Sequence, residues 1–252
     1  MDPYFWQIPA LIVVGVIAGF LNILAGGGSL LTLPLLIFFG LPAATANGTN
    51  RIAIFCQNVF AITGFKRQGV FPIRLALLCT PPALLGSYIG ANLAITVDEA
   101  VFRRLLALIM VGVLIFMTLD PMKRFQIRDV AMTPLRVAVL IASFFVVGIY
   151  GGFVQAGVGF LVISALMIHG LDLVRINAVK VLVIFAFTIV ALGVFIRHGQ
   201  VDYVLGLALA AGNSLGGWIA THVAVKKGHA WIKRFVIITV LVFAIRLLFP
   251  QG

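Results

Sequence analysis

The sequence predicts an all-α integral membrane protein made of two inverted five-segment repeats with discontinuous helices. Three observations lead to this prediction: 62% of the 252 residues are hydrophobic, only 10% are charged, and the chain matches itself at an offset of 130 residues. Soluble domains carry about 25% charged residues. Backbone polar groups in lipid must pair within their own segment, so apolar runs of about 20 residues are expected to be helices.

Eight apolar runs are long enough to cross a membrane, and two shorter runs follow the first and the fifth. The long runs are 8–24, 44–65, 72–94, 100–119, 135–154, 174–196, 203–222 and 231–249, and the short runs are 29–39 and 159–169. We expect the first run to be retained, because no basic residue precedes it as in a signal peptide. A short run rises only about 16 Å as a helix, too little for a core of about 30 Å. The short runs are therefore predicted to be half-helices among the eight full-length spans.

The repeat divides the chain into residues 1–125 and 126–252. Glycine, amide and aromatic residues recur at the offset of 130, as in Gly40 and Gly170, Asn47 and Asn177, and Phe55 and Phe185. Chance matches are common among Leu and Ala but less common at polar and glycine positions. Internal repeats of this kind are typical of secondary transporters.

The net charge of +11 arises from Lys and Arg residues that cluster in short loops between the runs. This pattern follows the positive-inside rule, so anionic lipid headgroups rather than nucleic acid are the expected partner. Five segments per half place twelve basic residues on one side and four on the other, whereas four spans per half divide them nine to seven. We therefore expect five inverted segments per half, both termini outside the cell, and residue 126 inside.

Two glycine-rich breaks stand at matching places in the halves. Their candidate binding residues are Asn22, Gly26, Gly27, Gly28 and Ser29 in the first break and Gln155, Gly157 and Gly159 in the second. An isolated glycine in a membrane helix usually serves close packing. A paired break before a short helix instead predicts a helix N-terminus inside the protein, where its N–H groups and dipole attract anions. We expect Ser29 to cap the first short helix and the Gly27 and Gly28 amides to face the ligand.

Polar residues also begin the run after each break. The candidates are Asn47, Thr49, Asn50 and Arg51 in the first half and Asn177 and Lys180 in the second. Charged side chains within a span are costly and usually face a pathway. Arg51 and Lys180 either supply positive charge to an anion site or extend to the headgroups, and the sequence leaves both interpretations open. Gln57, Asn58 and Thr188 are weaker candidates on the same runs.

All seven acidic residues fall in predicted loops or at segment ends. Cation carriers commonly use Asp or Glu within a span, so a small anion is the favoured substrate. The sequence has no HExxH, Cys/His cluster or Walker loop, so we expect no catalytic residue, metal or cofactor. An inside-negative potential of 100 mV contributes about 2.3 kcal/mol per anionic charge moved outward, which favours export. An anion channel, a membrane-embedded enzyme and a structural or partner-binding subunit are the alternatives.

The stretch from Ala25 to Pro34, followed by Gly40-Leu41-Pro42 and Asn47-Gly48-Thr49-Asn50, resembles the TauE/SafE family of sulfite exporters. Gly151–Gly159 and Asn177–Lys180 resemble that family's degenerate second copy, with Val179 in place of a Thr. The resemblance covers about residues 10–245. It implies transport of sulfite, thiosulfate or a sulfonate across a bacterial or archaeal cytoplasmic membrane.

The sequence therefore predicts a multi-pass transporter that moves a small sulfur-containing anion, in the export direction, by alternating access. A transporter of another small anion and an anion channel are the alternatives. The expected partners are the anionic substrate and the lipid bilayer, with a second copy of the chain as a further candidate.

Overall fold

The computed structural model describes residues 4–70, 72–119, 132–167 and 172–223, which form helices joined by short turns. The helices are α1 (Tyr4–Ala25), α2 (Ser29–Phe38), α3 (Ala43–Arg67), α4 (Ile73–Thr96), α5 (Glu99–Leu119), α6 (Pro134–Phe153), α7 (Val158–Met167), α8 (Leu173–Arg197) and α9 (Tyr203–Val223). No β-strand occurs in these ranges, which confirms the all-α prediction there. The predicted run 231–249 lies outside the described residues.

Five of the described helices, α1, α4, α6, α8 and α9, are long and apolar enough to cross a membrane. Their outward faces carry large apolar side chains such as Leu77, Leu85 and Val146, each at least 60% exposed, as a helix facing lipid requires. The chain is therefore a multi-pass membrane protein. The short helices α2 and α7 have ten residues each and occur where the two short runs were predicted.

Acidic side chains stabilise the N-termini of three helices. The Asp172 carboxylate accepts hydrogen bonds from two amides in the first turn of α8 at 3.0 and 2.9 Å, and Asp202 accepts one from α9 at 2.9 Å. The Glu99 carboxylate accepts from the amide of Ala43, the first residue of α3, at 2.9 and 2.8 Å. Carboxylates satisfy the unpaired amides of a helix start and complement its dipole. This capping explains why these acidic residues lie at helix ends.

The two predicted halves, residues 1–125 and 126–252, contact each other reciprocally. Helix α1 runs along α9, and α4 runs along α6, so the first helix of each half contacts the fourth helix of the other half. Glycines line both contacts: Gly212 and Gly216 approach the α1 backbone, and Gly86 and Gly90 approach the α6 backbone. Small residues allow membrane helices to pack closely without a hydrophobic driving force between them. Helices α3 and α8 lie between these two pairs and contact each other.

Candidate functional site

The two predicted helix breaks meet inside the bundle. Gly26 follows the end of α1 with φ 82°, and Gly157 follows the end of α6 with φ 73°, a backbone conformation that glycine adopts without a steric penalty. The backbone of Gly26 packs directly on Gly159, because a Cβ added to either glycine would overlap the main chain of the other. The starts of α2 and α7 therefore lie next to each other.

Each short helix begins beside the last turns of the helix before it. Gly28 lies against Ala18 and Asn22 of α1, and Val158 lies against Gly151 of α6. The chain thus folds back at each break instead of continuing along the same axis. The N-terminus of each short helix is consequently inside the protein, as the glycine patterns predicted.

The prediction that Ser29 caps α2 is wrong. The N-cap residue is Gly28, which already has helical dihedral angles (φ −57°, ψ −38°), and no side chain accepts from the first-turn amides. Ser29 is the first helical residue and is 2% exposed. Within the described part of the chain, the amides of Gly27, Gly28 and Ser29 donate to no acceptor. These amides form an unpaired, buried helix start.

Arg51 lies two turns into α3 and is fully buried. Its Nη1 donates to the carbonyl of Gly151 at 3.0 Å and its Nη2 to the carbonyl of Gly152 at 2.5 Å. These carbonyls belong to the last turn of α6, where carbonyls have no partner within the helix and the helix dipole is negative. The guanidinium also lies 4.8 Å from the centre of the Phe195 ring.

Lys180 lies two turns into α8 and is 1% exposed. Its Nζ donates to the carbonyls of Asn22 and Ile23 at 3.0 and 2.7 Å and to Oδ1 of Asn177 at 2.7 Å. The two carbonyls belong to the last turn of α1. Both cations therefore point into the protein, and the alternative in which they extend to the headgroups is wrong.

An amide side chain at each break contacts the third helix of its own half. Asn22 Nδ2 donates to Oε1 of Gln57 on α3 at 3.3 Å, and Gln155 Nε2 donates to Oγ1 of Thr188 on α8 at 2.9 Å. Gln57 and Thr188 are 131 residues apart, close to the repeat offset. The same polar contact is thus made in both halves.

The remaining polar candidates connect helices around the breaks. Thr32 in the first turn of α2 donates to Oδ1 of Asn50 at 2.6 Å. Asn47 donates to the carbonyl of Phe153 at the end of α6 at 2.8 Å. Thr49 accepts instead from the amide of Asp202 at 2.8 Å, so its hydroxyl faces the start of α9 and not the glycine breaks.

Buried donors without a partner are concentrated on α3. Among the described residues, those on α3 are Asn50 Nδ2, Arg51 Nε, Gln57 Nε2 and Asn58 Nδ2, and two more are Arg136 Nη1 and Ser164 Oγ; the buried acceptors without a donor include Asn47 Oδ1 and Gln155 Oε1. A buried donor without an acceptor costs about 1–3 kcal/mol, so such groups usually serve a ligand, an ion or water. Residues 50 and 57, like 51 and 58, are seven apart and share a helix face at a separation of about 10 Å.

A pair of aromatic rings joins the two halves. Phe55 on α3 and Phe185 on α8 stack with their ring centres 5.1 Å apart and their planes inclined by 25°. They are the residues matched by the offset of 130. Phe55 lies about one turn after Arg51 on α3, and Phe185 lies about one turn after Lys180 on α8. The stacked rings are therefore next to the buried cation of each helix.

Three residues that contact the breaks were not among the main candidates: Thr32 was not singled out, and Gln57 and Thr188 were weaker candidates. Gln57 and Thr188 could have been found from the repeat, because both are polar, both follow a break, and they are 131 residues apart. Thr32 had a weaker signal, namely a hydroxyl in the first turn of a short apolar helix.

Comparison with known proteins identifies the family. A family model described as sulfite exporter TauE/SafE matches residues 11–247. A probable membrane transporter protein of Haemophilus influenzae is 26% identical over 253 residues, covering 100% of this chain and 98% of the relative. The probable membrane transporter protein YfcA of Escherichia coli K12 is 28% identical over 242 residues, covering 96% and 89%. No solved structure matches significantly. Because the family model spans nearly the whole chain, this protein belongs to the TauE/SafE sulfite exporter family of membrane transporters.

Proposed function

We propose that this protein moves a small sulfur-containing anion, such as sulfite, thiosulfate or a sulfonate, out of the cell across the cytoplasmic membrane. The observation that carries the proposal is the meeting of the two breaks at Gly26 and Gly159, beside buried donors that have no acceptor. The site comprises the starts of α2 and α7 and the polar residues of α3 and α8 around them.

The charges around this site favour an anion. Arg51 and Lys180 are buried there, and the described carboxylates, Asp98, Glu99, Asp172 and Asp202, all lie at helix ends. Unpaired helix-start amides and side-chain N–H groups are the partners that acceptor-only oxygens require. Sulfite and sulfonate oxygens have this character, and the family description supplies the sulfur.

Reciprocal packing supports a transporter of two inverted repeats, residues 1–125 and 126–252. A two-fold axis that related the halves would superpose the α1–α9 contact on the α6–α4 contact, and both contacts are present. In such transporters the repeats rock around a central site that opens to each side in turn. The stacked rings of Phe55 and Phe185 would form part of the contact that separates and closes in this cycle.

Export follows from the sign of the membrane potential. A 100 mV inside-negative potential contributes about 2.3 kcal/mol for each anionic charge that leaves the cell, so efflux needs no coupled ion. With both termini outside, the side richer in Lys and Arg faces the cytoplasm, as the positive-inside rule requires.

The test is sulfite efflux from proteoliposomes in which a potassium gradient with valinomycin sets the membrane potential. We expect saturable efflux that accelerates as the interior becomes more negative, and faster efflux when external sulfite permits exchange. Absence of any sulfur-anion flux, preference for cations or insensitivity to the potential would contradict the proposal. Flux without exchange stimulation and with far higher turnover would identify an anion channel instead.

A further inference from the structure

We propose that the two buried cations have different tasks: Lys180 positions the broken end of α1, and only Arg51 presents a free N–H group to the transported anion. The Arg51 part of this inference rests on the proposed function. The Lys180 part concerns the fold alone and can be tested without a substrate.

The two cations occupy equivalent places in the fold. Each lies two turns into the third helix of its own half and reaches the last turn of the broken helix in the other half. Arg51 of α3 bonds carbonyls at the end of α6, and Lys180 of α8 bonds carbonyls at the end of α1. Cations at helix C-termini satisfy unpaired carbonyls and interact favourably with the dipole. Each cation therefore ties one half of the protein to the other.

Lys180 has no donor left for an anion. A lysine ammonium has three N–H donors, and in the described part of the chain Lys180 has three acceptors, namely the carbonyls of Asn22 and Ile23 and the side chain of Asn177. Asn22 is also the residue whose side chain donates to Gln57. Lys180 thus holds the turn of α1 that immediately precedes Gly26, and with it the fold-back that starts α2.

Arg51 keeps a donor after making the equivalent tie. Its Nη1 and Nη2 bond the two α6 carbonyls, while the buried Nε has no partner among the residues that the structure describes. The neighbouring Asn50 has a buried Nδ2 that is also without an acceptor. Asn50 bonds Thr32 in the first turn of α2, so this donor pair lies next to the unpaired helix start. An anion oxygen can therefore bond Arg51 without breaking the tie to α6.

The Lys180 assignment is tested by thermal unfolding of the purified full chain in detergent, without any substrate. We expect Lys180→Met to lower the Tm by about 5 °C or more, because the buried Ile23 carbonyl and Asn177 Oδ1 lose their donor, while the Asn22 carbonyl keeps only the Gly26 amide at 2.9 Å. Lys180→Arg keeps donors for these carbonyls and should restore most of the loss. The matched control is Lys66→Met at the exposed end of α3, which should leave the Tm within about 1 °C. A Lys180→Met protein with the wild-type Tm would overturn the assignment.

Sulfite efflux kinetics then separate the two cations. We expect Lys180→Arg to change the maximal rate of sulfite efflux more than the KM, because Lys180 holds the fold-back of α1 and spends its donors there. Arg51→Lys retains the positive charge but removes Nε–H and the planar fork, so the KM should rise about tenfold or more. The control is Arg67→Lys at the exposed end of α3. A wild-type KM in Arg51→Lys, or a large rise in KM in Lys180→Arg, would overturn the division of tasks.

The two failures are distinguishable. If wild-type protein moves sulfite but Arg51→Lys has an unchanged KM, the assignment of Arg51 fails and the proposed function stands. If wild-type protein neither moves nor is stabilised by sulfite, thiosulfate or sulfate, both the proposed function and the Arg51 assignment fail. The comparison of Lys180→Met with Lys180→Arg decides the structural tie in either case.

Discussion

Substitution of Gly159 by alanine tests the contact between the two helix breaks. A Cβ at this position would overlap the Cα of Gly26 and lie 2.7 Å from its carbonyl oxygen and 2.9 Å from its carbonyl carbon. All three are main-chain atoms, so no flexible side chain can move aside. The start of α7 or the turn after α1 must shift to accommodate the added methyl group.

Overpacking of a well-packed interior costs about 1–3 kcal/mol, and a clash with main-chain atoms belongs at the upper end of this range. For a chain of this size each kcal/mol corresponds to about 2–4 °C, so Gly159→Ala should lower the Tm by about 6–12 °C. Gly193→Ala in α8 is the matched control, because nothing lies within 4 Å of the Cβ it would add. Alanine is preferred to glycine in helices by about 1 kcal/mol, so the control should keep or slightly raise the Tm.

The assay is differential scanning fluorimetry of the two variants and the wild type in the same detergent. Sulfite efflux from proteoliposomes provides a second readout, which should fall for Gly159→Ala and persist for Gly193→Ala. Equal unfolding temperatures for the two variants would refute the close contact of the breaks. Efflux at the wild-type rate from Gly159→Ala would refute its place in the transport site.

Three further substitutions test other parts of the account. Asp172→Ala removes the cap of α8 and should lower the free energy of unfolding by about 1 kcal/mol in thermal unfolding. A wild-type free energy of unfolding in Asp172→Asn would confirm that the side chain acts as a cap. Thr32→Val removes the donor to Asn50 and should destabilise the protein by about 1–3 kcal/mol in the same assay, and no change would show that this hydrogen bond contributes nothing. A single cysteine at position 126, in a background without Cys56 and Cys79, should react with a membrane-impermeant reagent only from the cytoplasmic side, and labelling from outside would reject the proposed orientation.

The helical architecture and the breaks could be predicted from the sequence because they depend on local properties of the chain. Long apolar runs with few charges must be helical in lipid, and consecutive glycines are poor helix interior. The ten-residue helices α2 and α7 accordingly occur at the predicted places. The burial of Arg51 and Lys180 was one of two open alternatives, because a charge in a span can face either the interior or the headgroups.

The partners of the polar residues could not be predicted, because they depend on how distant helices pack. Lys180 bonds carbonyls more than 150 residues away, and nothing in the local sequence identifies backbone carbonyls as its partners. The cap of α2 was mispredicted for a different reason. Ser29 has the residue type of an N-cap, but the N-cap position falls on Gly28, whose backbone already has helical dihedral angles, and Ser29 is the first helical residue.

The most direct test of the proposed site is anion-dependent stabilisation of the purified protein, with sulfite, thiosulfate, sulfate and chloride compared at equal ionic strength. A ligand that binds only the folded state stabilises the protein, and the effect grows with the ratio of the ligand concentration to the Kd. We predict that the Tm rises to a plateau with sulfite or thiosulfate and changes little with chloride. In Arg51→Lys, the anion concentration needed to reach the plateau should be higher. Equal responses to all four anions, or an unchanged concentration dependence in Arg51→Lys, would contradict a selective anion site at the junction of the two breaks.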